Sequence, residues 1–251
     1  MKNIQKKLLL PLAILIGMIP LANPLNIFDD LRLFAFDTLQ QISPREPIED
    51  DPILIIDIDD ESLSNLGQWP WPRDLLSKLV ENTELALTTS FDIVFGERDR
   101  TGSDVLTEQY STSSNLVKEL KKIKPNDEVF AESMESHTTV VLGSAPNNKL
   151  VNEYIGPKFG LIIQGDSPKQ FLPNYTGIQN NLPSLMDSAA GIGSMSIGGE
   201  SSVVRSLPTF EVVNGQIVPS LMLETLRVAI GASTYQIKSS NASGELAFGE
   251  N

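Results

Sequence analysis

The chain has 251 residues, 41% of them hydrophobic and 20% charged, which is enough apolar sequence for one large or two small domains with a substantial core. Its net charge of −13 divides unevenly, because the first 28 residues carry three lysines and no acid, which leaves 16 basic and 32 acidic residues in 29–251. A body this acidic repels phosphate backbones, so we expect no nucleic-acid partner, and the absence of cysteine excludes thiol catalysis, disulfides and thiolate metal sites.

The first predicted element is a membrane helix. From Leu8 to Phe28 the chain has 21 residues without charge, directly after the three lysines, and a helix of that length reaches about 30 Å, the thickness of a hydrocarbon core. We predict a cytoplasmic leader and signal-anchor transmembrane helix over 1–28, in contact with lipid through 8–28. A cleaved signal peptide and a buried soluble helix stay open as alternatives, because three prolines interrupt the segment. The lysines favour a cytoplasmic N-terminus, which places 29–251 outside the cytoplasm of a single-pass protein.

Helical spacing, prolines and β-branched runs then predict an alternation of strands and helices. The predicted elements are a helix over 28–42 ended by Ser43-Pro44, a buried strand Ile53–Ile58, a helix opened by Pro72, a strand Ser90–Phe95, a polar loop over 101–114, a helix Leu116–Ile123 and a strand Thr138–Leu142. Strand, one helix and strand within this spacing is typical of parallel crossover units. In the second half, Leu161–Ile163 is a predicted strand.

The C-terminal half predicts a hairpin and a helix. Asn214-Gly215 separates two β-branched runs, Phe210–Val213 and Gln216–Val218, and this dipeptide is the strongest short hairpin signal. Pro219 opens a helix that Gly231 ends. The predicted fold class is therefore α/β, a mostly parallel sheet with flanking helices, plus this hairpin and helix, behind one transmembrane helix.

Acidic residues gather after the first two predicted strands. Asp57, Asp59 and Asp60 lie at the end of the first, whereas Asp92, Glu97 and Asp99 lie in or just after the second. Parallel strands would bring both groups to one sheet edge, where α/β folds bind ligands. Carboxylates without histidine or cysteine suit Mg²⁺ or Ca²⁺, and Asp57, Asp59 and Asp92 are the candidate metal ligands. The alternative is structural, since such carboxylates also cap the following helix, accept hydrogen bonds from its free amides, or pair with Arg73 and Arg98.

Two further motifs allow more than one interpretation. Trp69 and Trp71 form either an exposed ligand platform or a structural wedge, and the neighbouring prolines favour the wedge. The run from Ile55 to Asp59 resembles the haloacid-dehalogenase phosphatase motif, in which the first aspartate attacks phosphorus. A secreted or membrane-anchored, Mg²⁺-dependent phosphatase using Asp57 and Asp59 is therefore the alternative function.

Four segments together resemble the type-two CHASE domain, a cyclase/histidine-kinase-associated sensory extracellular domain. They are Ile55–Leu63 with Leu66–Arg73, Phe91–Phe95 with Glu97 and Asp99, Val203-Val204-Arg205, and Pro219–Arg227. The resemblance implies a sensory input domain of a bacterial inner-membrane receptor, attached to a nucleotide cyclase, a histidine kinase or a protein kinase. It implies no catalytic activity and no cofactor within these residues.

The resemblance also sets the expected site and partners. Ten residues of its motifs are candidates for ligand binding or for the structural signature: Asp57, Asp59, Asp60, Trp69, Trp71, Arg73, Asp92, Glu97, Asp99 and Arg205. The expected partners are a lipid bilayer and an unidentified extracellular ligand or envelope protein, and a homodimer stays open. Residues 29–251 are expected to be an incomplete sensory domain, lacking an effector.

Overall fold

The computed structural model describes residues 27–44, 52–111, 114–136, 139–150, 154, 157–197 and 203–240. The chain divides into two compact units, Met1–Asp59 and Asp60–Asn251. Each unit is described by itself below.

The first unit contains the predicted helix that precedes the prolines. Helix α1 spans Ile27–Ile42, and Ser43 N–H donates to Leu39 O at 2.9 Å at its end. Residues 1–26, which include nearly all of the predicted membrane anchor, lie outside the described residues. Among the helices that the structure does describe, none is long and apolar enough to cross a bilayer, so the transmembrane helix stays a prediction.

The predicted buried strand at Ile53–Ile58 is wrong. The structure gives residues 53–59 no regular secondary structure, and the four aliphatic side chains from Ile53 to Ile56 are between 53% and 86% exposed. An aliphatic run becomes a buried strand only beside a hydrogen-bonding neighbour, and none of the named strands includes or pairs with this segment. The predicted β-α-β-α-β series therefore lacks its first strand.

The second unit mixes helices and short strands. Its described helices are α2 Asp60–Leu66, α3 Arg73–Asn82, α4 Ser103–Gln109, α5 Ser114–Leu120, α6 Asn126–Ser136, α7 Pro183–Ser188 and α8 Leu221–Ala229, with a 3-10 turn at Pro168–Phe171. Its described strands are β1 Thr89–Phe91, β2 Val140–Asn147, β3 Gly160–Gln164, β4 Asn174–Tyr175, β5 Gly177–Gln179, β6 Gly191–Ser194, β7 Phe210–Val213, β8 Gln216–Pro219 and β9 Thr234–Lys238.

The central sheet is mainly parallel, as predicted. Strand β2 lies between β1 and β6 and runs parallel to both, whereas the end of β2 pairs antiparallel with β5. The connection from β1 to β2 carries α4, α5 and α6, of which only α5 was predicted. Helix α4 occupies Ser103–Gln109 within the segment 101–114, which corrects the predicted polar loop. Strands β3 and β9 form a separate parallel pair.

Two apolar clusters hold this unit together. Phe91, Phe95 and Phe130 stack edge to face with ring centroids 5.4 to 5.7 Å apart, so α6 packs against the chain that leaves β1. The second cluster contains Tyr154, Ile178, Met186, Ile192, Val213 and Val218, which joins β5, β6 and the β7–β8 hairpin. Burying these side chains supplies most of the stability of such a unit.

The predicted hairpin and C-terminal helix are confirmed. Strands β7 and β8 pair antiparallel, and Asn214 and Gly215 both have positive φ, 45° and 79°, as a type I′ turn requires. Helix α8 begins after Ser220, whose hydroxyl accepts a hydrogen bond from Leu223 N–H at 3.3 Å. Gly231 follows the helix at a φ of 66°, which favours glycine.

Candidate functional site

A cleft of about 530 Å³ opens on the second unit beside the tryptophan-proline turn. This tryptophan cleft lies between the turn that precedes α3 and the segment 93–101 that follows β1. Its volume is within the range of about 300–1,000 Å³ that is usual for small-molecule sites. Of the ten candidate residues from the sequence, the cleft brings together Trp69, Trp71, Arg73, Glu97 and Asp99.

The two tryptophans have different roles in the wall of the cleft. Trp71 is 8% exposed, and its indole N–H donates to Gly67 O at 2.7 Å. Trp69 is 36% exposed and meets Trp71 edge to face, with ring centroids 5.8 Å apart. Trp71 is therefore the predicted wedge, whereas Trp69 keeps an accessible aromatic face on the same turn.

Arg73 is buried behind this wall. Its guanidinium carbon lies 4.4 Å from the centre of the Phe95 ring, and its Nε lies 3.5 Å from an oxygen of Asp127. The cation–aromatic contact and the ion pair compensate for burial of the charge. Burial lowers the pKa of Arg73, although the carboxylates of Asp127 and Asp99 oppose that shift.

Asp99 fastens the floor of the cleft. One carboxylate oxygen accepts a hydrogen bond from the backbone N–H of Arg73 at 2.7 Å and another from the side-chain amide of Asn126 at 2.9 Å. The other accepts from the amide and hydroxyl of Thr101, each at 2.8 Å. Burial opposes ionisation, but these hydrogen bonds outweigh it and hold the pKa of Asp99 below its usual value.

Asp127 completes the same network from α6. It accepts a hydrogen bond from Asp99 N–H at 2.9 Å, so the first turn of α6 holds the segment 93–101 in place. Burial raises the pKa of Asp127, more than the hydrogen bond and Arg73 lower it. The observed contacts of Asp99 are therefore those of the structural alternative, because its carboxylate accepts a hydrogen bond from the backbone N–H of Arg73 at the start of α3.

The segment 93–101 is anchored at several points. Phe95 N–H donates to the Asn181 side chain at 2.6 Å, and Phe95 O accepts from Leu182 N–H at 2.8 Å. At Gly96 a Cβ atom would lie only 2.6 Å from the Gln179 side-chain nitrogen, so glycine leaves room for that amide on the cleft wall. These contacts present the side chains between the anchors in a fixed arrangement.

Several polar groups at the rim of the cleft have no partner in the described part of the chain. They are the Trp69 indole N–H, the Glu97 carboxylate, the Arg100 guanidinium and the Gln179 amide. Arg98 differs, because it forms ion pairs with Asp104 at 2.6 Å and with Glu108 at 3.1 Å. The cleft thus offers one accessible aromatic face and available groups of both charges.

The structure does not bring the other candidate residues into this cleft. Asp57 and Asp59 belong to the first unit. Asp60 is exposed at the start of α2. Asp92 is exposed beyond the end of β1, which corrects the predicted strand Ser90–Phe95 that contained it. Arg205 lies in the segment before β7, where its guanidinium donates to Val203 O at 3.4 Å.

The metal and phosphatase hypotheses gain no geometric support. No group of three or more histidine, aspartate or glutamate side chains within the described ranges has an arrangement suited to a metal ion. The phosphatase motif requires its first aspartate at the end of a buried strand, and residues 53–59 are not a strand. Which residues bind a ligand stays a prediction at this point.

A buried charge network elsewhere in the unit was not predicted. Glu224 and Arg227 of α8 form a two-point ion pair, at 2.6 and 2.9 Å, and Tyr235 donates to the same carboxylate at 2.6 Å. Burial and this hydrogen bond raise the pKa of Tyr235. A Cβ at Gly191 would lie 2.4 Å from the Glu224 carboxylate, so the glycine is needed beside the network. The sequence signal that could have indicated this pair is the spacing of Glu224 and Arg227, which lie three residues apart on one helix.

Glu211 is a second buried acid outside the cleft. It lies on β7, where one carboxylate oxygen accepts from the Ser194 hydroxyl at 2.5 Å. Its other oxygen accepts no hydrogen bond from the described residues. Burial raises the pKa of Glu211 even though hydrogen bonds from Ser194 and Ser196 lower it.

The family model described as the CHASE2 domain matches residues 11–249. No curated protein and no solved structure matches the chain. The matched range contains the tryptophan-proline turn, the segment 93–101 and helix α8.

Proposed function

Because the chain belongs to the CHASE2 domain family, whose members are extracellular sensory modules of membrane signalling receptors, we propose that it is the input domain of a bacterial inner-membrane receptor and that the tryptophan cleft binds its ligand. The observation that carries this proposal is the cleft itself. Five candidate residues from two separated motifs meet there, and its rim has polar groups without partners in the described chain.

The contacts around the cleft support a role in recognition. Asp99 accepts four hydrogen bonds that join the start of α3, the segment 93–101 and the start of α6. A ligand that moves the segment 93–101 therefore moves groups bonded to two helices. A receptor requires such a coupling, because a ligand shifts a conformational equilibrium only by binding one state more tightly.

In the proposed receptor, residues 1–28 are the cytoplasmic leader and membrane anchor, and 29–251 lie outside the cytoplasm. A nucleotide cyclase, histidine kinase or protein kinase beyond these residues supplies the output, so the described cleft binds without catalysis. The −16 balance of residues 29–251 favours a freely exposed domain over one held against anionic headgroups.

The test is a pair of reporter fusions to the full chain in bacteria. Alkaline phosphatase fused after Asn251 is expected to be active, because it folds only outside the cytoplasm, and green fluorescent protein fused at the same position is expected to be dark. A dark phosphatase and a bright fluorescent protein would contradict the proposed topology. Immunoblots of both fusions provide the control for expression.

A further inference from the structure

The unpaired groups at the rim of the tryptophan cleft carry charges of both signs. Glu97 and Arg100 are exposed, and neither side chain has an ion-pair or hydrogen-bond partner in the described chain. The other charged groups of the lining are engaged: Arg73 with Asp127, Arg98 with Asp104 and Glu108, and Asp99 with four donors. The lining therefore includes one anionic and one cationic side chain that have no partner among the described residues.

These two charges restrict the ligand. A purely anionic or purely cationic molecule matches one rim charge and leaves the other facing a like charge, whereas a molecule that carries both charges matches both. The strong negative balance of the surrounding domain also disfavours a free anion. A small zwitterion is the complementary class.

The apolar part of the cleft restricts the rest of the ligand. Trp69 presents a half-accessible indole that Trp71 holds from behind, and Ile93 and Val94 line the same space. Such a surface accepts an aliphatic or aromatic group by burial and by stacking. The Trp69 N–H and the Gln179 amide remain as further hydrogen-bonding groups beside it.

We propose that the tryptophan cleft binds a free amino acid with an apolar side chain. Its ammonium group pairs with Glu97, its carboxylate pairs with Arg100, and its side chain lies against Trp69. The binding segment is already fixed by hydrogen bonds at Phe95 and Asp99, so little ordering opposes binding. This inference rests on the proposed function, since it names the ligand class of the same cleft.

The test is isothermal titration calorimetry of the full chain in detergent with L-phenylalanine and L-leucine. Each is compared with the analogue that lacks the ammonium group, 3-phenylpropanoate or 4-methylpentanoate, and with the analogue that lacks the carboxylate, phenethylamine or isoamylamine. We expect saturable binding of at least one amino acid and at least about tenfold weaker binding of both its analogues, because each loses one charge pair.

Two charge variants and two controls assign the effect to the rim. Glu97→Gln and Arg100→Gln are expected to weaken amino-acid binding at least about tenfold, whereas Glu81→Gln and Lys78→Gln, exposed positions outside the lining, should leave it unchanged. All four substitutions are at the surface, and matching urea unfolding curves would show that the fold is kept.

The opposing outcomes are distinct. Absence of binding by both amino acids overturns the proposed ligand class, as does equal binding of the analogues that lack one charge. Binding of a neutral sugar, N-acetylglucosamine, in their place also overturns it, because the sugar needs neither rim charge. None of these outcomes alters the reporter fusions, so active phosphatase together with no amino-acid binding would leave the sensory function standing.

Discussion

Neighbouring residues of similar chemistry have different roles in the tryptophan cleft. Trp69 and Trp71 are separated by one proline, yet one remains accessible and the other is buried with its N–H bonded to Gly67 O. Glu97 and Asp99 differ in the same way. The Glu97 carboxylate has no partner among the described residues, whereas the Asp99 carboxylate accepts four hydrogen bonds from the surrounding fold. The sequence motif therefore mixes structural residues with candidate binding residues.

Substitution of the two tryptophans should separate these roles. Trp71→Ala removes a buried ring and is expected to lower the free energy of unfolding by about 3–5 kcal/mol. Trp69→Ala removes a ring that is already 36% exposed and should cost about 1–2 kcal/mol. Urea unfolding of both variants followed by circular dichroism measures the difference. A larger loss for Trp69→Ala would contradict the assignment of Trp71 as the wedge.

Asp99 gives a prediction with a defined dependence on pH. In Asp99→Asn an amide NH₂ replaces one acceptor oxygen, and we expect the free energy of unfolding at neutral pH to fall by about 2–3 kcal/mol. Because folding lowers the pKa of Asp99, its stabilisation is fully present above the ordinary value of 3.8 and is lost as the pH falls through the lowered value. The gap between wild type and variant should therefore narrow below about pH 4.

The control for this variant is Asp74→Asn. Asp74 is exposed in the first turn of α3, so its substitution should change the free energy of unfolding by less than about 0.5 kcal/mol. A gap for Asp99→Asn that stays constant from neutral to acidic pH would show that its carboxylate is not stabilised by ionisation in the folded state.

At the scale of single elements, the spacing of apolar residues predicted where a helix occurs better than it predicted which of its side chains are buried. Helix α8 occurs where its apolar spacing indicated, but Leu226 is 54% exposed, whereas Glu224 and Arg227 are buried. The two charges, three residues apart on the helix, neutralise each other, and Tyr235 donates a hydrogen bond to the Glu224 carboxylate. Hydropathy assigns charged residues to the surface, and only the contacts of the fold show that this pair is satisfied inside.

The buried pair of α8 can be compared with an exposed pair of the same spacing. Glu224→Gln leaves Arg227 buried without its counter-charge, and we expect a loss of about 3–5 kcal/mol in the free energy of unfolding. Glu119 and Lys122 also lie three residues apart at 2.6 Å, but both are exposed, so Glu119→Gln should cost less than about 0.5 kcal/mol. Similar losses in chemical denaturation of the two variants would contradict the buried network.

The strand predictions differ for a physical reason. Asn214-Gly215 specifies a turn through backbone conformation, so the β7–β8 hairpin was predictable from local sequence. For the aliphatic run Ile53–Ile56, hydropathy was the only signal for a strand, and the run is exposed and has no regular secondary structure. A strand depends on a neighbour that is distant in sequence. The predicted metal site depended on that strand, so the local sequence alone was not enough to predict it.

At the scale of the whole molecule, the tryptophan cleft depends on contacts across long sequence separations. Arg73, Asp99 and Asp127 come from three different segments, and α6, which supplies Asp127, was not predicted. Sequence motifs therefore identified many residues of the cleft but not the network that holds them. Membership in the CHASE2 domain family identifies the chain as a sensory module. The proposed location of residues 29–251 outside the cytoplasm rests on that membership and on the predicted leader.

The most direct test of the sensory account is the location of one exposed residue in living bacteria. The chain has no cysteine, so Lys78→Cys, at an exposed position of α3, introduces a single thiol, and Ser77→Cys at a position 2% exposed is the buried control. A membrane-impermeant maleimide should label Lys78→Cys in intact cells and label the control only after denaturation. Labelling of Lys78→Cys only after the inner membrane is permeabilised would contradict the account.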